Sequence, residues 1–214
     1  MQQRPVIIRI VWPATLLLVA IGVAIVIRRT LDLLSPSPPP PSLLEAARFA
    51  RHPLLTMAHI IPGLLFMALG PLQFVRTLRS RRPGLHRWSG RVFMGSGLTI
   101  GATALVMAPG AIGGVSETAA TILFAAVFLF SLVQAFLSIR RGKTALHREW
   151  MIRAFAIGLA VATARPIMAA FFATSSLTHL TPRDFFGTAF WLAFTIHLIA
   201  AEIWINYTRP EIAV

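Results

Sequence analysis

Six long apolar segments constrain the fold of this 214-residue chain more than any other feature of its sequence. A helix needs about 20 apolar residues to cross the hydrocarbon core of a bilayer. Six segments meet this requirement: roughly residues 6–27, 53–75, 90–110, 117–139, 150–173 and 184–206. Only 13% of the residues are charged, whereas a soluble domain carries about twice that fraction. The sequence therefore predicts an all-α, polytopic membrane helical bundle with six transmembrane helices.

These segments predict four parts of the chain. They are a signal-anchor transmembrane helix at 1–29, an outer proline-rich linker with a short amphipathic helix at 30–52, a five-helix membrane domain at 53–207 and a short cytoplasmic tail at 208–214. The first helix is interpreted as uncleaved, because no small-x-small site follows it. Within the linker, Ser42 and Glu45 have the spacing of a capping box. A solvated linker is the alternative for that stretch.

The basic residues predict the orientation, because loops rich in Lys and Arg stay on the cytoplasmic side. Two connections between spans are strongly basic. The first contains Arg76, Arg79, Arg81, Arg82, Arg87 and Arg91, and the second contains Arg140, Arg141, Lys143, Arg148 and Arg153. We therefore expect both loops and both termini in the cytoplasm. The net charge of +13 then indicates anionic lipid at the inner face, and not nucleic acid, as the partner.

The two basic loops lead into similar segments, GLHRWSGR at 84–91 and ALHREWMIR at 145–153. An offset of 61 residues (134 − 73 = 61) aligns several pairs, among them Gln73 with Gln134, His86 with His147, and Arg87 with Arg148. Spans two and three would then repeat as spans four and five. The sequence thus predicts a parallel internal duplication of spans two to five about an axis along the membrane normal.

The duplication has a chemical consequence for the two aligned histidines. If both face the axis, His86 and His147 present two imidazoles to one object, and a b-type haem fits that arrangement. Each lies at the positive end of a helix dipole, which favours the neutral, ligating form. Arg87 and Arg148 are then expected to hold the haem propionates. The alternative is that both histidines are interfacial residues that bind headgroups or the facing loop.

Three segments also carry a resemblance to a known family. HIIPGLLFMALGPLQF, RRPGLHRWSGRVF and LHREWMIRAFAIGLAVATARP resemble the bacterial membrane family known as domain of unknown function 2306, over about residues 52–206. The resemblance implies a bacterial inner-membrane protein but no particular activity. At the level of architecture the chain also resembles cytochrome b561, which places two histidines on each of two helix pairs. Only the pair His86 and His147 is present here, because the repeat position of His59 is Ala120.

Ionisable residues inside the spans are the remaining candidates for function. His59, Arg165 and His197 are expected in the outer half of the membrane, where they predict a polar cavity for a quinone headgroup, a haem propionate or an anionic substrate. The alternative is structural, with interhelical hydrogen bonds for His197 and snorkelling for Arg165. Glu202 is expected to pair with Arg91 or Arg153.

No sequence feature indicates hydrolytic or transfer chemistry, and no residue is predicted to be catalytic. The chain has no cysteine, no phosphate-binding glycine loop, no HExxH segment and no nucleophile elbow. The favoured interpretation is a small b-type cytochrome-like protein with a bis-histidine haem, which exchanges electrons with a quinone or a redox protein. Two alternatives remain: a haem-free accessory subunit that packs against a larger membrane complex, and a small transporter.

Overall fold

The computed structural model describes residues 4–35, 49 and 51–209, with side chains from Ile10 onward. This part of the chain is helical and contains no β-strand. Its helices are α1 (Arg4–Leu34), α2 (Pro53–Phe74), α3 (Arg76–Arg81), α4 (Pro83–Met107), α5 (Gly114–Arg140), α6 (Thr144–Thr178) and α7 (Pro182–Thr208). All but the short α3 are long and apolar enough to cross a membrane. The prediction of an all-α protein with six spans is therefore confirmed, whereas the internal duplication stays a prediction.

The chain forms two compact units, Met1–Thr103 and Ala104–Val214. In the first unit, α1 packs on α2, and α2 packs on α4 through the stacked rings of Phe66 and Phe93, whose centroids lie 4.1 Å apart. In the second unit, α5, α6 and α7 pack against one another. The stacked rings of Phe124 and Phe194, 4.7 Å apart, lie between α5 and α7.

The first helix is longer than its apolar segment and continues into the predicted outer linker. The Thr30 hydroxyl donates to the Val26 carbonyl at 2.9 Å, and Arg29 lies 3.9 Å from Asp32. The polar residues at this end of the helix therefore find partners one turn away within the same helix. The helix ends near Ser35, because the residue before a proline disfavours the helical conformation. The predicted capping box and most of the amphipathic helix fall in 36–48, and the end of the tail falls in 210–214; both lie outside the described residues.

Helices α4 and α6 begin in the same way, although the loops before them differ. Arg82 leaves the helical conformation before α4, and Gly142 takes a left-handed turn (φ +72°) before α6. His86 and His147 are each the fourth residue of their helix. The backbone N–H of His86 donates to Arg82 at 3.1 Å, and that of His147 donates to the Lys143 carbonyl at 2.9 Å. The two histidines therefore occupy equivalent positions in their own helices.

The start of α7 follows its sequence signals closely. The backbone N–H and the hydroxyl of Thr181 both donate to the Asp184 carboxylate, at 2.8 and 2.6 Å, and Pro182 is the first helical residue. A little further along, α7 passes very close to the beginning of α5. A Cβ atom on Gly187 would lie 2.5 Å from the Ser116 hydroxyl oxygen, so only glycine permits this approach.

Candidate functional site

The clearest polar geometry in the second unit surrounds His147. Its Nδ1 lies 2.8 Å from the carbonyl oxygen of Ala135 on α5. A carbonyl only accepts hydrogen bonds, so Nδ1 carries a proton, and Nε2 is the ring nitrogen that can present a lone pair. Metal-binding histidines typically show this arrangement, with one ring N–H held by a carbonyl and the other nitrogen available to the metal. The side chain of His147 is half-buried.

The residues that follow His147 tie the start of α6 to the end of α7. Arg148 donates from Nη2 to the Thr208 hydroxyl at 2.7 Å. Arg209 donates two hydrogen bonds to Glu149, both at 2.9 Å. The Glu149 carboxylate raises the pKa of Arg209 above its usual value, first by these hydrogen bonds and then by its charge. The polar residues of this segment therefore have structural contacts of their own.

One turn further along α6, Arg153 makes the most extensive contacts of the group. It donates to Glu202 from Nε at 2.6 Å and from Nη2 at 3.0 Å. It also lies 3.9 Å from Glu149 and over the Trp150 ring, 4.6 Å from its centroid. Of the two partners expected for Glu202, the structure selects Arg153. Arg148, which was expected to hold a propionate, uses one of its five N–H donors on Thr208.

In the first unit, His86 is half-buried and Arg87 is exposed. The neighbouring Ser89 is buried and links α4 to α2. Its hydroxyl donates to the Leu85 carbonyl at 2.8 Å and accepts from Gln73 Nε2 at 3.0 Å. Gln73 is only 6% exposed, so the end of α2 is fixed beside the histidine-bearing turn of α4. The alignment marked Gln73 as notable, but its partner was not predictable from the sequence.

The three residues of the predicted outer cavity divide between the two units. In the first unit, His59 Nδ1 lies 2.9 Å from the hydroxyl oxygen of Thr103. That hydroxyl donates to the Thr99 carbonyl at 2.7 Å, so the His59 ring is the donor to Thr103. His59 thus makes an interhelical hydrogen bond that joins α2 to α4, in addition to the bond between Gln73 and Ser89.

In the second unit, His197 Nε2 lies 2.7 Å from the Thr163 hydroxyl, which joins α7 to α6. Arg165 follows Thr163 by two residues, about 200° around the helix axis, and its Nη1 lies 4.0 Å from the sulfur of Met168. Arg165 and the His197–Thr163 pair therefore use different faces of α6. A cavity shared by His59, Arg165 and His197 stays a prediction.

Glu117 was not among the candidates from the sequence, where it is the first residue of the predicted fourth span. The residue is 4% exposed, and its Oε2 accepts a hydrogen bond from the Gly113 N–H at 2.7 Å. An acid in the first turn of a helix is stabilised by the unsatisfied N–H groups and the positive dipole end there. The available signal was the Gly-Gly pair at 113–114, which ends three residues before this acid.

Within the residues that the structure describes, no group of three or more His, Asp or Glu side chains is arranged to hold a metal ion. A bis-histidine haem requires only two protein ligands. The donor set at His147 suits such a group, because its Nε2 is the nitrogen left for a ligand. The prediction of haem therefore depends on His147 and His86 and not on a metal cluster.

Six described helices that are long and apolar enough to cross a bilayer define a multi-pass membrane protein. A family described as "Predicted membrane protein (DUF2306)" matches residues 56–205, which is most of the chain. The chain belongs to this family, as its three characteristic segments indicated. Neither the curated proteins nor the solved structures provide a significant match. The likeness to cytochrome b561 stays a prediction.

Proposed function

We propose that this protein is a small electron-transfer protein of the bacterial inner membrane that binds a b-type haem through His147 and His86. The observation that carries the proposal is the hydrogen bond from His147 Nδ1 to the Ala135 carbonyl. It fixes the ring orientation and leaves Nε2 for a metal. The sequence repeat supplies His86 as the second ligand. His86 has the same position in α4 that His147 has in α6, and its backbone N–H makes the equivalent hydrogen bond.

When bound, the haem supplies a one-electron redox centre, and the chain supplies its surroundings. His147 and His86 would hold the haem iron, and Arg87, which is exposed, would bind a propionate. Arg148, which also binds Thr208, would be the residue for the second propionate, because it occupies the position in the repeat that corresponds to Arg87. If both termini lie in the cytoplasm, the haem would exchange electrons between an inner-side partner and a quinone or redox protein near His59, Arg165 and His197.

The proposal is tested by absorption spectra of the purified protein, oxidised and dithionite-reduced, after expression with added haem precursor. Sharp reduced α and Soret bands are expected. His86→Ala and His147→Ala should each abolish the low-spin spectrum, because both ligands are needed. His179→Ala is the matched control, since this exposed histidine lies between α6 and α7. A folded wild-type protein that stays colourless after haem reconstitution overturns the proposal.

A second candidate is a haem-free accessory subunit that packs against a larger membrane complex. It is favoured by the contacts of the HREWMIR segment, whose polar residues all bind groups on α5, α7 or the residue after α7. His147→Gln separates the two candidates, because an amide still donates to the Ala135 carbonyl but is a poor haem ligand. For a cytochrome, the variant loses its spectrum and remains folded. For a subunit without haem, only stability responds to substitutions at this position.

A further inference from the structure

The described part of the first unit carries a basic surface with no acid among its own residues. We define the α3 basic surface as Arg76, Arg79, Arg81, Arg82, Arg87 and Arg91, all of which are exposed. The stretch 46–116 contains no Asp or Glu. In the part of this unit that the structure describes, the one acid is Asp32, which lies beside Arg29 on α1. Six guanidinium groups are therefore concentrated within residues 76–91, and the described residues of that stretch include no acid.

The second basic loop is different, although its sequence looks similar. There Arg153 binds Glu202 and lies near Glu149, and Arg148 binds Thr208. Arg140 packs near the ring of Phe136, 5.9 Å from its centroid. Part of that loop's charge is thus used in contacts that hold the second unit together. Among the described residues, the six arginines of the α3 basic surface form no ion pair with an acid.

The backbone presents these arginines at the end of a membrane span. The chain leaves the helical conformation at Val75 (ψ 111°) and again at Arg82 (ψ 61°), so α3 is a separate turn between the spans α2 and α4. Beside it, Leu85 is 49% exposed and Trp88 is 60% exposed on the first turns of α4. Exposed tryptophans at the ends of spans lie at the level of the lipid headgroups. The arginines next to Trp88 are therefore at the level of the lipid phosphates.

We propose that the α3 basic surface is a binding surface for the phosphate groups of anionic phospholipids in the leaflet that it faces. Guanidinium groups bind phosphate oxygens in a bidentate manner, and several adjacent arginines reach more than one headgroup. The exposed Leu85 and Trp88 contact the acyl region of the same lipids. Arg87 is shared with the proposed haem site, so the lipid surface is tested on Arg79, Arg81 and Arg82, which have no role in that site.

The test measures retention of phosphatidylglycerol by the purified full-length protein in mixed micelles with phosphatidylcholine, by native mass spectrometry. The variant Arg79→Gln/Arg81→Gln/Arg82→Gln removes three charges from the surface. At low ionic strength we expect its phosphatidylglycerol binding to weaken by about fivefold for each arginine removed. The control Arg140→Gln/Arg141→Gln/Lys143→Gln removes the same charge from the other loop and should lose much less.

Equal losses of lipid binding in the two triple variants would show that net charge alone attracts the lipid, and would overturn the proposal. No loss of binding in either variant would overturn it as well. Wild-type protein supplies a second measurement that needs no variant. Its preference for phosphatidylglycerol should disappear at about 1 M salt, where the Debye length is only about 3 Å. A salt-independent preference, or full competition by inorganic phosphate at matched concentration, would also overturn a lipid-binding surface.

Discussion

Arg153 of α6 and Glu202 of α7 form a two-point ion pair, with Nε 2.6 Å from Oε1 and Nη2 3.0 Å from Oε2. Two parallel N–H···O bonds are the strongest form of an arginine–carboxylate contact. The Glu202 side chain is nevertheless 47% exposed and that of Arg153 is 17% exposed. Surroundings of this kind reduce the net free energy of the pair, since water or headgroups compete for the carboxylate.

A double-mutant cycle with Arg153→Gln and Glu202→Gln should therefore give a modest coupling free energy. We expect about 0.5–1 kcal/mol at low salt, falling as salt is added. The measurement is thermal or denaturant unfolding of the purified protein in detergent. A cycle of Glu202→Gln with Arg183→Gln is the control, because Arg183 lies about 28 Å away at the other end of α7. Equal coupling in the two cycles would contradict a specific pair.

The close approach of α7 to α5 makes Gly187 a sensitive position. An added Cβ would meet the Ser116 hydroxyl oxygen at 2.5 Å and the Glu117 backbone nitrogen at 2.9 Å. Gly187→Ala should lower the free energy of unfolding by about 1–3 kcal/mol, because the two helices must separate. Gly95→Ala is the matched control, since its Cβ would meet no described atom within 4 Å. Two variants of equal stability would show that the helices tolerate the added methyl group.

The spans were predictable because they depend on a local property. Residues 53–75 contain enough apolar residues in succession to form a span, and the helix is found at Pro53–Phe74. The start of α7 was predictable for the same reason, because Thr181 and Asp184 stabilise it from positions three residues apart. The ends of α1 and α6 were not, since helices continue into polar residues when their side chains find partners nearby.

The candidate site was predictable in its residues but not in its contacts. Glu202 had two possible partners by sequence, and only the packing of α6 against α7 selects Arg153. The bond from His147 to the Ala135 carbonyl depends on how α5 lies beside α6, which no residue pattern specifies. Glu117 was missed because its burial follows from the approach of α7 at Gly187, a tertiary feature.

The hydrogen bond between His59 and Thr103 predicts a third effect on stability. Thr103→Val keeps the shape of the side chain but removes the hydroxyl that accepts from His59 Nδ1. We expect a loss of about 1 kcal/mol in detergent unfolding, because the half-buried ring loses its partner on α4. The control is Thr99→Val, whose exposed hydroxyl bonds only within its own helix, to the Gly95 carbonyl. Similar losses of stability in Thr103→Val and Thr99→Val would show that the hydrogen bond from His59 adds nothing to the stability.

The predicted orientation can be tested without a background signal, because the native chain contains no cysteine. Ser80 lies on the short α3 and is exposed, whereas Leu180 is exposed in the connection between α6 and α7. The eleven basic residues of the two loops predict that Ser80 lies in the cytoplasm and Leu180 outside. In intact cells, an impermeant thiol reagent should label Leu180→Cys and leave Ser80→Cys unlabelled. Both variants should react once the membrane is permeabilised, which confirms that each thiol is accessible. Labelling of Ser80→Cys in intact cells would reverse the orientation, and with it the leaflet in which the α3 basic surface meets lipid.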